Sequence, residues 1–298
     1  MLLGGIEAGG TKFVCVVGTG PDDLRAELRV PTTSPVETLA AALQFFQAQQ
    51  ATHGRLDALG IGSFGPVDLH PDSERFGYIT STPKPGWTNT DLTGVFRRGL
   101  GVPVAFDTDV NAAALGEWRY GAARGLDTFL YLTVGTGIGG GALVNGRMLH
   151  GLVHPEMGHV RVARDHNADP FAGACPFHGD CLEGLASGTA MAARWGRPAH
   201  ELPAEHPAWT LEAHYLAQAL QGFVCTLSPQ RIVIGGGVMD APPLLPCVRH
   251  ELQRLLHGYI QAPELLRDID AYVVAPALNR RAGAIGALVL AEGAVHRS

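Results

Sequence analysis

Short apolar runs alternate with glycine-rich turns along the chain, interrupted by a few stretches of helical periodicity, and this pattern sets the predicted elements. Residues 2–7 read as a strand, Ala8-Gly9-Gly10-Thr11-Lys12 as a turn, and residues 13–17 as a returning strand. Residues 35–50 read as a helix with Ser34 as N-cap and Pro35 in the first helical position, where a missing N–H costs nothing. Residues 56–62 and 102–106 are further strands, the first running into Ser63-Phe64-Gly65-Pro66, and residues 111–120 form an alanine-rich helix. The pattern then restarts. Residues 128–134 are a β-branched strand, residues 135–141 a glycine-rich turn, and residues 142–144 a returning strand that ends at Asn145-Gly146, a dipeptide suited to a tight hairpin. Helices over residues 182–195 and 211–227 follow, then a buried strand over 231–234 that ends in Gly235-Gly236-Gly237, and a closing helix over 282–294.

Each half thus opens with strand, glycine turn and strand, and continues with alternating strands and helices. That order implies two α/β lobes with a cleft between them and glycine turns facing into it.

Composition narrows the function classes. The 298 residues are 46% hydrophobic and 17% charged, which fits a folded chain with a substantial core. A net charge of -6 with no basic block gives no attraction to nucleic acid or to an anionic membrane surface. No apolar stretch is long enough to span a bilayer, and the N-terminus has no signal-peptide pattern. Five cysteines, only two of them close in sequence, argue against a disulfide framework and point to a reduced, cytoplasmic compartment.

Several segments carry candidate chemistry. Gly9-Gly10-Thr11-Lys12 lets the backbone approach a bulky anion, with Thr11 and Lys12 as donors to phosphate, although an ordinary hairpin turn has the same composition. A Walker loop is excluded, because its earlier glycine and its following helix are missing. Residues 135–141 contain Gly-x-Gly-x-x-Gly, but a strand follows where a dinucleotide fold needs a helix. Gly135, Thr136 and Gly137 therefore read as a cradle for ATP phosphates, with a bulged hairpin as the alternative. Asp109 stands at a strand-to-helix junction, where a carboxylate either accepts the proton of an attacking hydroxyl or caps the helix near Asn111.

Cys175, His178 and Cys181 have the spacing of a zinc knuckle, and His159 supplies a fourth ligand; four protein ligands define a structural site. The alternative is two free cysteines and a surface histidine. Glu156 and Glu183 flank the knuckle, and the metal would hold both carboxylates near one place, where they suit sugar hydroxyls; otherwise they are solvated surface residues. Gly235-Gly236-Gly237-Val238 would let adenosine lie against the backbone, or is a plain strand-to-loop turn. His53, His150, His154, His200 and His206 read as surface or packing residues.

The order of these motifs resembles the ROK-family sugar kinases: Glu7-Ala-Gly-Gly-Thr-Lys12, Asp109-Val-Asn111-Ala-Ala-Ala, Gly135-Thr-Gly-Ile-Gly, Glu156-Met-Gly-His159, the Cys/His knuckle and Ile234-Gly-Gly-Gly-Val238. The resemblance runs from about residue 3 to about residue 292. Within the family the chain looks most like the bacterial zinc-containing fructokinases, through Gly62-Ser-Phe-Gly-Pro-Val-Asp68, Thr80-Ser-Thr-Pro-Lys-Pro-Gly-Trp87, His154-Pro-Glu-Met-Gly-His159 and the segment around Cys175 to Gly188. Glu7, where many members have Asp, and His178, where many have a third Cys, both match that branch.

The resemblance implies an α/β fold of two ribonuclease H-like lobes, as in actin and hexokinase. The first lobe would take residues 1–115, with a C-terminal helix over 281–298 packing back onto it, and the second would take residues 116–280 with the zinc loop. Asp109 would be the base that activates O6 of fructose, with Asn111, Glu156, His159 and Glu183 lining the sugar site. Gly9 to Lys12, Gly135 to Gly137 and Gly235 to Gly237 would hold the nucleotide, Mg²⁺ would travel with ATP, zinc would be structural, and the assembly would be a homodimer. Kinases of mannose, glucose or N-acetylmannosamine are the nearest alternatives. ROK-type repressors carry an extra N-terminal helix-turn-helix that this sequence leaves no room for, and a non-catalytic sugar-binding protein would turn over no ATP.

Overall fold

Two five-stranded sheets of the same topology organise the chain in the computed structural model, which describes residues 1–295. They lie in two compact units. Among the described residues the first comprises Met1–Arg124, His150–His154 and residues 277–295; the second comprises Gly125–Leu149 and Pro155–Pro276.

In the first unit, β1 (Leu3–Ala8), β2 (Lys12–Gly20) and β3 (Asp23–Pro31) form an antiparallel meander. After α1 (Pro35–His53), β4 (Ala58–Ser63) joins parallel to β1. A two-stranded ribbon of β5 (Tyr78–Ile79) and β6 (Thr90–Asp91) precedes α2 (Leu92–Leu100). The next strand, β7 (Val104–Thr108), pairs parallel to β4 and leads into α3 (Asp109–Tyr120). The sheet order is β3-β2-β1-β4-β7.

The second unit repeats this plan. Here β8 (Phe129–Val134), β9 (Ile138–Val144) and β10 (Arg147–Met148) form the meander. Helices α4 (Leu182–Ala186), α5 (Gly188–Trp195) and α6 (Ala208–Leu227) lead to β11 (Ile232–Gly235), which is parallel to β8. Then come α7 (Leu244–Leu256), α8 (Pro263–Leu266), α9 (Ile269–Tyr272) and β12 (Val273–Val274), parallel to β11, and the order is β10-β9-β8-β11-β12. The closing helix α10 (Ala282–Val295) belongs to the first unit. The expected end of that helix over 296–298 lies outside the described residues.

Alternation along β2 shows how the first sheet is buried on both faces. Phe13, Cys15 and Val17 join Leu39 and Phe46 of α1 and Leu92 and Phe96 of α2 in one core. Val14 and Val16 join Ala284, Ile285, Leu288 and Ala291 of α10 on the other. The α10 backbone packs close because the sheet offers Gly60 beneath it, where a Cβ would overlap the Ala287 carbonyl.

Several elements differ from the expectation. The elements expected from the sequence include no strand over 23–31, yet Ala26, Leu28 and Val30 alternate with charged residues in β3 and pack on the first core. The expected glycine turn over 135–141 is only 135–137 wide, since Gly139, Gly140 and Gly141 lie within β9. Gly140 packs where a side chain would meet Met157. The expected helix over 182–195 is two helices, because Ser187 has extended dihedrals and its hydroxyl accepts the Ala190 N–H as a new N-cap.

Candidate active site

Parallel pairing brings three loops of the first unit to one edge of its sheet. Ala8 is level with Ser63, and Ser63 with Thr108, so the turn after β1, the segment after β4 and the start of α3 emerge side by side. In open α/β sheets this carboxyl edge is where ligands bind. The turn is held by a Gly9 N–H bond to the Lys12 carbonyl and by Thr32, which donates its hydroxyl to the Gly9 carbonyl at 2.7 Å and its N–H to the Thr11 carbonyl. Gly10, Thr11 and Lys12 remain exposed.

The cap of α3 is Thr108, not Asp109: the Thr108 hydroxyl accepts the Asn111 N–H at 3.1 Å. Asp109 is the first helical residue and accepts the Val110 N–H at 2.9 Å. Burial pushes its carboxyl up to about 6, with the Val110 N–H as a partial offset. On β1, Glu7 is pushed up to about 7, chiefly by burial and then by the Asp109 charge. Lys12 and the Ala284 N–H at the start of α10 pull it the other way. Two carboxylates that repel in a half-buried setting are a favourable place for a cation.

Asn111 is only 1% exposed, and its amide donates to Asp107 Oδ1 at 2.7 Å. Asp107 also accepts the Thr108 N–H and meets His150 Nε2 at 3.0 Å. The Asn111 Oδ1 is buried and, among the described residues, has no hydrogen-bond partner. The sequence pattern predicts surface or packing roles for His150 and His154. Buried His154 packs as expected and accepts the Val67 N–H through Nε2 at 3.1 Å, whereas His150 joins this carboxylate network. No spacing signal marks either contact, because Asp107 and His150 are 43 residues apart.

In the second unit, β8 and β11 are parallel neighbours, so their glycine turns also adjoin. The Val238 N–H reaches the Val134 carbonyl at 3.0 Å. Gly236 has a φ of +99 and lies against the Val134 backbone, which leaves no room for a side chain. The N-terminus of α5 closes on the other turn: the Gly188 N–H bonds the Gly135 carbonyl and the Thr189 hydroxyl bonds the Thr136 carbonyl at 2.8 Å. Next to Gly237 and Val238 is a cavity of about 180 Å³ lined by Leu202, Trp209, His200, Pro242 and Pro243. Such a mixed apolar wall suits a heterocyclic base.

His159, Cys175, His178 and Cys181 come together, with one ligand atom from each within 4.8 Å of the others. His159 Nδ1 is 3.5 Å from Cys181 Sγ and 3.8 Å from Cys175 Sγ, and His178 Nδ1 is 3.7 Å from Cys175 Sγ. Tetrahedral zinc, with bonds of about 2.05 Å to nitrogen and 2.3 Å to sulfur, sets the nitrogen–sulfur edge at about 3.6 Å. The donor set therefore fits a four-coordinate metal. Burial pushes the Cys181 thiol up to about 11, and Cys175 and Glu183 add to it, an effect a divalent cation would reverse. The loop that carries these ligands is also fastened at buried Asp169, which receives the Tyr215 hydroxyl at 2.6 Å and Arg194 at 3.1 Å.

Glu183 links the knuckle to the glycine turn. One carboxylate oxygen accepts the Ile138 N–H at 2.9 Å, and the other is 4.0 Å from His159 Nε2. Gly137 makes this possible, since a Cβ there would lie 2.5 Å from Glu183 Oε2. With Nδ1 aimed at the knuckle, His159 keeps Nε2 for another partner. Glu156 is exposed and stands one short turn before His159, whose N–H bonds its carbonyl. No helix of the described residues is long and apolar enough to cross a membrane.

Two sheets of order 3-2-1-4-5, each with a glycine turn at the carboxyl edge of its parallel strands, define the actin and hexokinase class of phosphotransferase fold. The chain matches the ROK family over residues 3–294, and it belongs to that family. It is 44% identical to the fructokinase of Zymomonas mobilis over 99% of its own length and 98% of that protein. It is 40% identical to the fructokinase of Pediococcus pentosaceus over 99% of both chains. The ROK hexokinase of Thermus thermophilus superimposes with a TM-score of 0.80 at 30% identity, covering all of both chains. These likenesses support an ATP-dependent hexose kinase with fructose as acceptor.

Proposed function

We propose that this protein transfers the γ-phosphoryl group of Mg·ATP to O6 of D-fructose, giving fructose 6-phosphate and ADP. What carries the reading is the Asp109 carboxylate at the head of α3, level with the phosphate turn after β1, in a chain similar to fructokinases over its whole length. Asp109 accepts the proton of the attacking hydroxyl, and burial holds it ready for that task near neutral pH.

Hydroxyl contacts to the sugar fall to Asn111, Glu156, Glu183 and the Nε2 of His159. Backbone and side-chain donors of Gly9 to Lys12 and of Gly135 to Gly137 hold the phosphates, while Gly235 to Gly237 border the adenosine. Magnesium arriving with ATP supplies neutralisation of phosphate charge, and Glu7 is the residue that would hold it. Two thiolates and two imidazoles select zinc at the knuckle, where four protein ligands make it structural. Thiolate ligands and ATP as co-substrate fit a cytoplasmic enzyme, and we infer a homodimer from the family resemblance.

The test is ADP release by the purified protein with Mg·ATP, across fructose, mannose, glucose and N-acetylmannosamine. Turnover strongest on fructose supports the assignment. Turnover on another hexose alone would keep the kinase and discard fructose as the acceptor, and no turnover on any would sink the kinase reading.

A further inference from the structure

His150 is the outward member of an otherwise buried polar group. Its side chain is 41% exposed, against 7% for Asp107, while Asn111 is 1% exposed. Asp107 fixes its orientation: Nε2 lies 3.0 and 3.2 Å from the two carboxylate oxygens. A carboxylate only accepts, so the ring proton facing Asp107 is on Nε2 and the other nitrogen, Nδ1, is turned away from it. Among the described residues Nδ1 makes no hydrogen bond.

The backbone is held as well. Four residues on, buried His154 anchors the same segment to Val67, so the imidazole is fixed from both sides. A histidine that served only to neutralise Asp107 would have no reason to be presented at the surface. Here the buried carboxylate and amide stand behind the ring like a socket, and the ring's free edge faces out beside Asn111, two residues beyond Asp109.

We propose that His150 is a further substrate-contacting residue, whose Nδ1 hydrogen-bonds a hydroxyl of the hexose acceptor, with Asp107 as the positioning group behind it. This rests on the hexose-kinase reading above. A neutral polyol fits this nitrogen because a hydroxyl both donates and accepts: it donates to neutral imidazole and accepts from imidazolium. The contact therefore survives titration of the ring, whose pKa Asp107 raises by hydrogen bonding.

The experiment compares wild type with His150→Ala, His150→Asn and His150→Gln in steady-state kinetics with fructose and ATP, calorimetric fructose binding without nucleotide, and thermal melting. His150→Ala should raise the fructose KM and Kd about tenfold, leaving the ATP KM and the melting midpoint nearly unchanged. The Asn amide overlays Nδ1 and should recover part of the affinity. The Gln amide overlays Nε2, keeps the Asp107 bond and should recover little. An unchanged fructose KM in His150→Ala overturns the proposal. So does full rescue by Gln with none by Asn, or a parallel loss of fructose affinity, ATP affinity and melting temperature, each of which marks a purely structural partner of Asp107. If wild type phosphorylates only another hexose, the fructose assignment fails alone and His150 is judged by the same comparison on that sugar. If wild type binds no hexose, both fall.

Discussion

Replacing Asp109 with asparagine should make the protein inactive and more stable, and both effects have one cause. Its carboxyl is pushed from an ordinary 3.8 up to about 6, chiefly by burial. An acid that holds its proton more tightly in the folded chain than in the unfolded one works against folding once it ionises. That cost is absent below about pH 4, grows as pH rises from 4 to 6, and is complete above it. At about 1.4 kcal/mol per pH unit the full cost is about 3 kcal/mol.

Asparagine has no charge to desolvate and keeps an oxygen for the Val110 N–H. The variant should therefore be about 2 to 3 kcal/mol more stable than wild type at pH 8, and nearly equal to it at pH 4. Glu7, raised in part by the Asp109 charge, should titrate lower and add to the gain at pH 8. Urea unfolding at the two pH values measures the difference, and kcat with saturating fructose should fall on the order of 10²- to 10⁴-fold. Equal or lower stability at pH 8, a gain that does not shrink towards pH 4, or a kcat within a few-fold of wild type would refute the reasoning.

Three other consequences are open to measurement. In the wild type, kcat/KM for fructose should fall about tenfold per unit below an acid limb near pH 6, a value that belongs to the Asp109 and Glu7 pair together; a limb near 4 would remove the buried base. Stripping the metal from the knuckle should release about one zinc per chain by elemental analysis and lower the melting midpoint on the order of 10 °C, with proteolysis appearing between Pro155 and Cys181. Glu117→Ala should cost about 4 kcal/mol by chemical denaturation, because that fully buried carboxylate accepts the N–H groups of Ala122, Ala277 and Leu278 at 2.7, 3.0 and 2.8 Å and the substitution removes all three bonds.

Local rules made much of this protein legible in its sequence. Ser34 and Pro35 set the start of α1, Asn145-Gly146 turns at φ values of 51 and 74, and Ala282–Val295 is helical as the pattern predicts. These are nearest-neighbour effects of capping, ring closure and steric freedom, which a one-dimensional reading captures. The knuckle was legible for the same reason: three of its ligands lie within seven residues, so their spacing carries the metal chemistry.

Contacts between distant segments were decided only by the tertiary fold. Thr108 rather than Asp109 caps α3 because the β7 register ends there, and that choice leaves the Asp109 carboxylate out of the capping role and available for the proposed base role. Glycines 139 to 141 lie in a strand because β9 must pair with β8 and receive Met157. His150 becomes a partner of Asp107 because the segment His150–His154 belongs with the first unit although residues on either side of it belong to the second. Such pairings join residues tens of positions apart, and only the packing energy of the whole sheet and its helices selects them.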